Sequence, residues 1–354
     1  MRRQFFERLS WIDLFLWVLR IGVIALIVYG SIRSLQMAKY SPETWLSLII
    51  AGLAQGSIYA LIAIGYTLVY GVLLMINFAH GEVYMAGAFT STLVAEALAQ
   101  YALAERYPLP MLALLLFVSM IVSGGVAVIL ERVAYRPLRG SPRLVPLITA
   151  IGASFALQYI FRGLYGSAFH TYPEFGRMWG QMTIGGATIQ IVQVVVFVAA
   201  VLMMFGLWLF VERTKTGKSL RAVSEDKEIA ALMGINVDHV IMITFALGGI
   251  LAGAAGVARG LYQPQGIWFF MGFLPGLKAF TAAVLGGIGS IPGAMLGGLF
   301  LGIFESVGPN LFLEGLGVPA AYQLKDVIAF TMLVLVLMFR PQGIMGEKLA
   351  EKKA

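Results

Sequence analysis

Residues 44–89 read TWLSLIIAGLAQGSIYALIAIGYTLVYGVLLMINFAHGEVYMAGAF. From Thr44 to Tyr70 this run holds no charged side chain. As one helix it would be about 40 Å long at 1.5 Å per residue, more than the roughly 30 Å of hydrocarbon in a bilayer. The chain must therefore turn before or near Asn77. Asn77, His80 and Glu82 then follow within six residues of one another. An asparagine side chain caps a helix by accepting from a backbone N–H two or three residues on, which predicts a helix start at Phe78, with slack at Gly81. Asn77, His80, Gly81 and Glu82 read as a structural hinge on the inner side of the membrane, with a broken helix beside a transport pathway as the rival reading. His80 and Glu82 are two apart and do not share a helix face. That spacing favours neither a metal site nor acid–base chemistry.

Outward from this stretch the same character continues. The chain has 354 residues, 59% hydrophobic and 12% charged, with a mean hydropathy of +0.86. Soluble domains average about 25% charged residues. Long continuous apolar runs point to an all-α polytopic membrane protein, since barrel strands give short alternating segments. Cysteine is absent, so no disulfide or thiolate site exists. The first 31 residues look like a signal peptide, but Asp13 and Arg20 interrupt the apolar run and no small-residue cleavage site follows. They read as a retained helix.

Apolar runs predict about ten spans, near 11–30, 44–69, 82–104, 109–130, 144–165, 188–211, 239–262, 271–288, 293–313 and 322–340. Arg132, Arg136, Arg139 and Arg143 fill one short loop; Arg213, Lys215, Lys218, Arg221 and Lys227 fill another. Two spans separate them, so both lie on one side, and the positive-inside rule makes that side cytoplasmic. Counting outward places Arg2, Arg3, Arg8, Arg340, Lys348, Lys352 and Lys353 inside as well. Both termini are then cytoplasmic. The net charge of +7 follows from this loop bias and needs no nucleic acid.

Small residues recur four apart at Gly52, Gly56 and Ala60, at Gly249 and Gly253, at Gly256 and Gly260, and at Gly289, Gly293 and Gly297. Such spacing brings helix backbones close. In the loop 212–239, Gly217-Lys218-Ser219 resembles the end of a P-loop, but the position that needs the first glycine is Glu212. Beyond it Ser224 is predicted to cap a short helix, with Glu225 and Asp226 in the first turn, a small apolar face at Ala230, Ala231 and Met233, and Gly234 as the stop. A short helix held between two spans offers a rigid knob to a partner. Lys278 and Glu305 are predicted at depths of roughly 10 and 12 Å from the outer surface, if the eighth span enters near Met271. Similar depth allows a buried ion pair, either structural or near the permeation path.

Three segments, GSIYALIAIGYTLVYGVLLMINFAHGEVYMAGAF (56–89), ERVAYRPLRGSPRLVPLITAIGASFALQ (131–158) and MGFLPGLKAFTAAVLGGIGSIPGAMLGGLFLGIFES (271–306), resemble the permease subunit of bacterial branched-chain amino-acid ABC transporters. The likeness runs over roughly 46–346; residues 1–43 and 166–187 depart from it. It implies a fold similar to the vitamin B12 importer type, with inverted-repeat halves. It implies a bacterial inner-membrane importer in which this chain pairs with a second homologous permease, cytoplasmic ATPase subunits and an extracytoplasmic binding protein for leucine, isoleucine or valine. The chain itself would hold no ATPase site, metal or cofactor; ATP would be used by its partners. Glu225, Asp226, Ala230, Ala231, Gly234 and Ile235 would then belong to the ATPase-coupling segment. It also divides the chain into an extra N-terminal helix and loop (1–43), the permease domain (44–345) and a charged cytoplasmic tail (346–354). The rival readings are the same architecture carrying urea, short amides or other amino acids, an ion-coupled secondary transporter using Lys278, Glu305 or Glu82, and an energy-independent channel.

Overall fold

A computed structural model describes residues 11–346, apart from 100, 102, 143, 174, 176–179, 264, 265 and 341, and without the side chains of Ile12 and Asp13. Arg2, Arg3, Arg8, Arg143, Lys348, Lys352, Lys353 and nearly all of the expected tail lie outside the described residues. The helices are α1 (Trp11–Gln36), α2 (Pro42–Leu73), α3 (His80–Ala99), α4 (Leu103–Arg106), α5 (Pro108–Leu130), α6 (Leu144–Tyr165), α7 (Ile191–Arg213), α8 (Lys215–Glu225), α9 (Lys227–Leu232), α10 (Val237–Tyr262), α11 (Phe273–Gly286), α12 (Ile291–Gly308) and α13 (Lys325–Phe339). A π-helical turn, Glu131–Tyr135, extends α5, and another, Pro309–Leu313, extends α12. Eight helices among the described residues are long and apolar enough to cross a membrane. The expected third and eighth spans fall on α3 and α11, which are outside that set. The segment ahead of α7, which carries no sequence assignment, forms a hairpin of β1 (Gln181–Ile184) and β2 (Ala187–Gln190). Gly185 and Gly186 make its two-residue turn at φ +57° and +84°, a conformation that favours glycine at both positions.

Two helices carry the core. In α2 and in α10, 72% of the apolar span is buried inside the chain, against 6% in α1 and 11% in α13. Lipid offers no hydrophobic drive for helices to associate, so close backbone packing must hold them. The small residues supply it. A Cβ placed on Gly56 of α2 would lie 2.8 Å from the carbonyl oxygen of Gly298 in α12, and one on Gly52 would lie 2.8 Å from Ile303 Cα. A Cβ on Gly249 of α10 would lie 2.6 Å from the Ser123 carbonyl of α5. Gly65 of α2 and Gly248 of α10 meet the same way, 3.3 Å from one's added Cβ to the other's Cα.

The connecting segments meet in two groups at opposite ends. At one end Arg139 pairs with Asp238, Tyr135 meets Asn77, and the Ile344 and Met345 amides bond to Leu285 and Gly286. At the other, Lys39 pairs with Glu314, Ser47 bonds to the Thr188 carbonyl at 3.3 Å, and His170 Nδ1 meets Glu96 at 2.8 Å. The two arginine-rich loops thus share one end.

Depth is where the structure departs from the predicted spans. The turn after α2 is made at Leu74, in left-handed conformation. The chain then runs back into the bundle, and α3 begins at His80 against Gly65 and Gly248. Gly248 is near the middle of α10, so α3 starts in the interior and not at a surface. Likewise α11 has only 14 residues, about 21 Å. Its first turn meets that of α3: a Cβ on Gly276 would lie 3.0 Å from Gly81 Cα. The expectation that the eighth span enters from the outer surface near Met271 is therefore corrected, because residues 266–272 already lead to that interior contact.

Candidate functional site

Three polar constellations stand out, and the elements just described position each. The first projects from the arginine-rich end. Thr214 caps α8, its hydroxyl accepting from Gly217 N–H at 3.0 Å, and Leu220 and Val223 bury one face. Asp226, not Ser224, caps α9: its carboxylate accepts from Glu228 and Ile229 N–H at 2.8 and 3.0 Å. Ser224 lies inside α8, its hydroxyl donating to the Arg221 carbonyl at 2.7 Å. Gly234, at φ +83°, ends α9, with Ile235 N–H returning to the Ala230 carbonyl at 3.1 Å. Asn236 then caps α10 through His239 N–H. Three caps and a left-handed stop in succession leave this segment little freedom.

On that frame Ala230 turns inward, 3% exposed, instead of joining the outer face. Glu225, Asp226, Ala231 and Gly234 are exposed and Ile235 is half-buried. The outer apolar face is Ile229, Leu232 and Met233, exposed by 59%, 87% and 78%. Of these, the sequence pattern had picked out Met233 alone. Burial, and then the nearby Arg139 charge, hold the Lys227 ammonium below its usual value.

The second constellation is the start of α3. Asn77 does not cap a helix at Phe78. Its Oδ1 accepts from the Tyr135 hydroxyl at 2.6 Å, and its own carbonyl accepts from His80 N–H at 3.0 Å. His80 is 2% exposed and stacks edge-on with Tyr66, ring centroids 4.9 Å apart. Gly81 lies against Gly272 and Gly276. Glu82, 1% exposed, accepts on Oε1 from Gln158 at 2.7 Å and Ser154 at 3.2 Å. Its Oε2 has no hydrogen-bond partner and faces Gly272, the residue before α11. Gln158 and Ser154, four apart on α6, are sequence-invisible partners: nothing in a hydropathy pattern links α6 to α3.

In the third, Lys278 Nζ of α11 lies 2.5 Å from Glu305 Oε1 of α12 and 2.6 Å from Asp326 Oδ1 of α13. Lys278 and Glu305 are buried, while the Asp326 side chain is 41% exposed. One cation thus ties three helices together. Among the described residues no cluster of His, Cys, Asp or Glu is arranged for a metal.

The family described as branched-chain amino acid transport system / permease component matches residues 48–337. The chain belongs to this family. The permease is 47% identical over 311 residues to the high-affinity branched-chain amino acid transport system permease protein BraD of Pseudomonas aeruginosa, covering 87% of this chain and 98% of that one. It is 43% identical over 305 residues to LivH of Escherichia coli K12, a permease protein of the same description, covering 85% and 95%. Helix α1 precedes the matched region. The capped segment of α8 and α9, the start of α3 and Lys278 with both its partners all lie within it.

Proposed function

We propose that this chain is the transmembrane permease subunit of an ATP-driven importer of leucine, isoleucine and valine. The near full-length likeness to BraD and LivH carries this reading. The chain would sit in a bacterial inner membrane with both termini cytoplasmic and about ten crossings, in inverted halves similar to the vitamin B12 importer type. The opposed starts of α3 and α11 at Gly81 and Gly272, between α2 and α10, support that inversion. Residues 1–43 would add a helix to the permease domain 44–345, and 346–354 would form a charged tail. Residues 212–239 would be the coupling loop: a cytoplasmic ATPase would seat on Ile229, Leu232 and Met233, an exposed apolar patch on a capped frame. Motion of α9 would reach α10 through Asn236. A second permease and an extracytoplasmic binding protein complete the assembly, and ATP is consumed by the ATPase partners.

Reconstitution with the partner subunits tests this. Leucine uptake that requires ATP supports it, and competition by valine but not by alanine or urea fixes the cargo. Competition by urea or short amides would move the cargo to the alternative class. Uptake by this chain without an ATPase, driven by a proton or sodium gradient, would instead identify a secondary transporter.

A further inference from the structure

The outward face of α5 and α10 serves none of the three constellations. A groove of about 580 Å³ runs between these helices, within the range of roughly 300–1,000 Å³ that small-molecule sites occupy. Apolar residues line it, among them Phe117, Ile121, Gly125 and Ile129 of α5 and Ala246 and Ile250 of α10. The four from α5 are spaced four apart and so form one row along the helix. Phe117, Ile121 and Ile129 are more than half exposed. Gly125 opens a gap in the row, where an added Cβ would meet nothing within 4 Å.

Length and position say what fits there. From Phe117 to Ile129 the groove extends for about 18 Å at 1.5 Å per residue, and one leaflet of a bilayer holds about 15 Å of hydrocarbon. It begins near the middle of α5 and ends just short of the arginine-rich end. At that end Arg132 crosses from α5 to α10. Its Nη2 donates to Met242 Sδ at 3.5 Å, and Met242 stands one turn before Ala246 of the groove. Arg132 is exposed. A thioether is a weak acceptor and a guanidinium carries five N–H donors, so donors remain for a ligand. The neighbouring carboxylates, Glu131 and Asp238, bond Arg136 and Arg139. The chain's two ends leave from α1 and α13, which pack against α11, α12 and the π-turn Pro309–Leu313.

We propose that the α5–α10 groove and Arg132 bind one anionic phospholipid, its acyl chain between Phe117 and Ile129 and its phosphate on Arg132. Acyl chains already lie in hydrocarbon, so the groove gains no hydrophobic drive by holding one; fit and headgroup must select it. Guanidinium groups bind phosphate oxygens through paired N–H donors. Arg132, Arg136 and Arg139 outnumber Glu131 and Asp238 at this point, so a zwitterionic headgroup would bring its ammonium towards surplus positive charge. A transmembrane helix of a partner subunit is the poorer occupant, since it crosses both leaflets, about 30 Å, and the groove stops midway. The site goes beyond the importer reading and needs only the membrane fold.

The test is native mass spectrometry of the full-length permease in detergent, titrated with phosphatidylglycerol or with phosphatidylcholine of identical chains. The wild type should retain one phosphatidylglycerol, about fivefold more tightly than phosphatidylcholine, as one arginine at the membrane surface implies. Arg132→Gln should remove that preference, and Arg132→Lys should keep part of it, since lysine holds the charge without the planar fork. Gly125→Leu puts a side chain into open space. It should lose the retained lipid while the melting temperature is preserved. Equal retention of the two lipids by the wild type would overturn the site, and so would a phosphatidylglycerol adduct undiminished in Gly125→Leu. An undiminished adduct together with loss of a co-purified second permease would assign the groove to a subunit contact instead.

Discussion

Lys278 stands between two carboxylates, so substitutions at this cluster are not equivalent. Lys278→Met leaves Glu305 and Asp326 facing each other without a cation. Its cost should be roughly 3–5 kcal/mol, the range for stripping one partner from a buried pair. Glu305→Gln keeps the Lys278–Asp326 bond and should cost less. The double change should be milder than Lys278→Met alone. Thermal unfolding of the purified permease ranks the three, and additive losses would show that the pair is not coupled. His80 poses a packing problem. A Cβ on Gly65 would lie 2.5 Å from its Cε1, so Gly65→Ala should destabilise by about 1–3 kcal/mol through overpacking, read by the same melting curve. His80→Asn should slow uptake while leaving the order leucine, valine, alanine in competition assays unchanged; normal rate with altered order would make it a selectivity residue. Lys278 and Glu305 were legible in sequence because two lone charges in apolar runs stand out. Asp326 was not, since it heads a later helix beside Lys325 and reads as an ordinary first-turn acid.

At the scale of elements, α9 is the part with a prediction of its own. Asp226→Ala removes a cap that serves two amides, worth about 0.5–2 kcal/mol, and should fray α9. Leu232→Asp with Met233→Asp keeps the caps and changes only the face. It should reduce ATPase subunits co-purified with the permease by about tenfold, as loss of one or two apolar anchors implies, with the melting temperature preserved. Undiminished co-purification would remove α9 from the interface. Most of this element was legible: Gly234 announced the stop, and the polar run announced the loop. The cap was misassigned to Ser224 because both Ser and Asp are good cap residues and stand two apart; the end of α8, which sequence did not separate from α9, decides between them. Ala230 was placed on the outer face for the same reason, as a six-residue helix rotates with its cap.

For the whole molecule, apolar runs gave the class and the approximate position of every long helix, and glycine spacing gave several of the close backbone contacts, though Gly289, in a turn outside any helix, makes none. Hydropathy could not give depth. A short apolar helix beginning at the surface and one beginning in the interior read alike, and only the contacts of Gly81 with Gly272 and Gly276 distinguish them. These opposed helix starts, the exposed apolar face of α9 and the Lys278 tie to α13 fit the proposal of a body moved from one end. The direct test is leucine uptake into proteoliposomes holding this permease, its second permease and the ATPases, with binding protein outside the vesicles and ATP sealed inside. The account predicts accumulation that needs both ATP and binding protein, is unaffected by collapsing ion gradients, and is lost in the Leu232→Asp, Met233→Asp variant. Accumulation that survives removal of ATP and follows a proton or sodium gradient would contradict it.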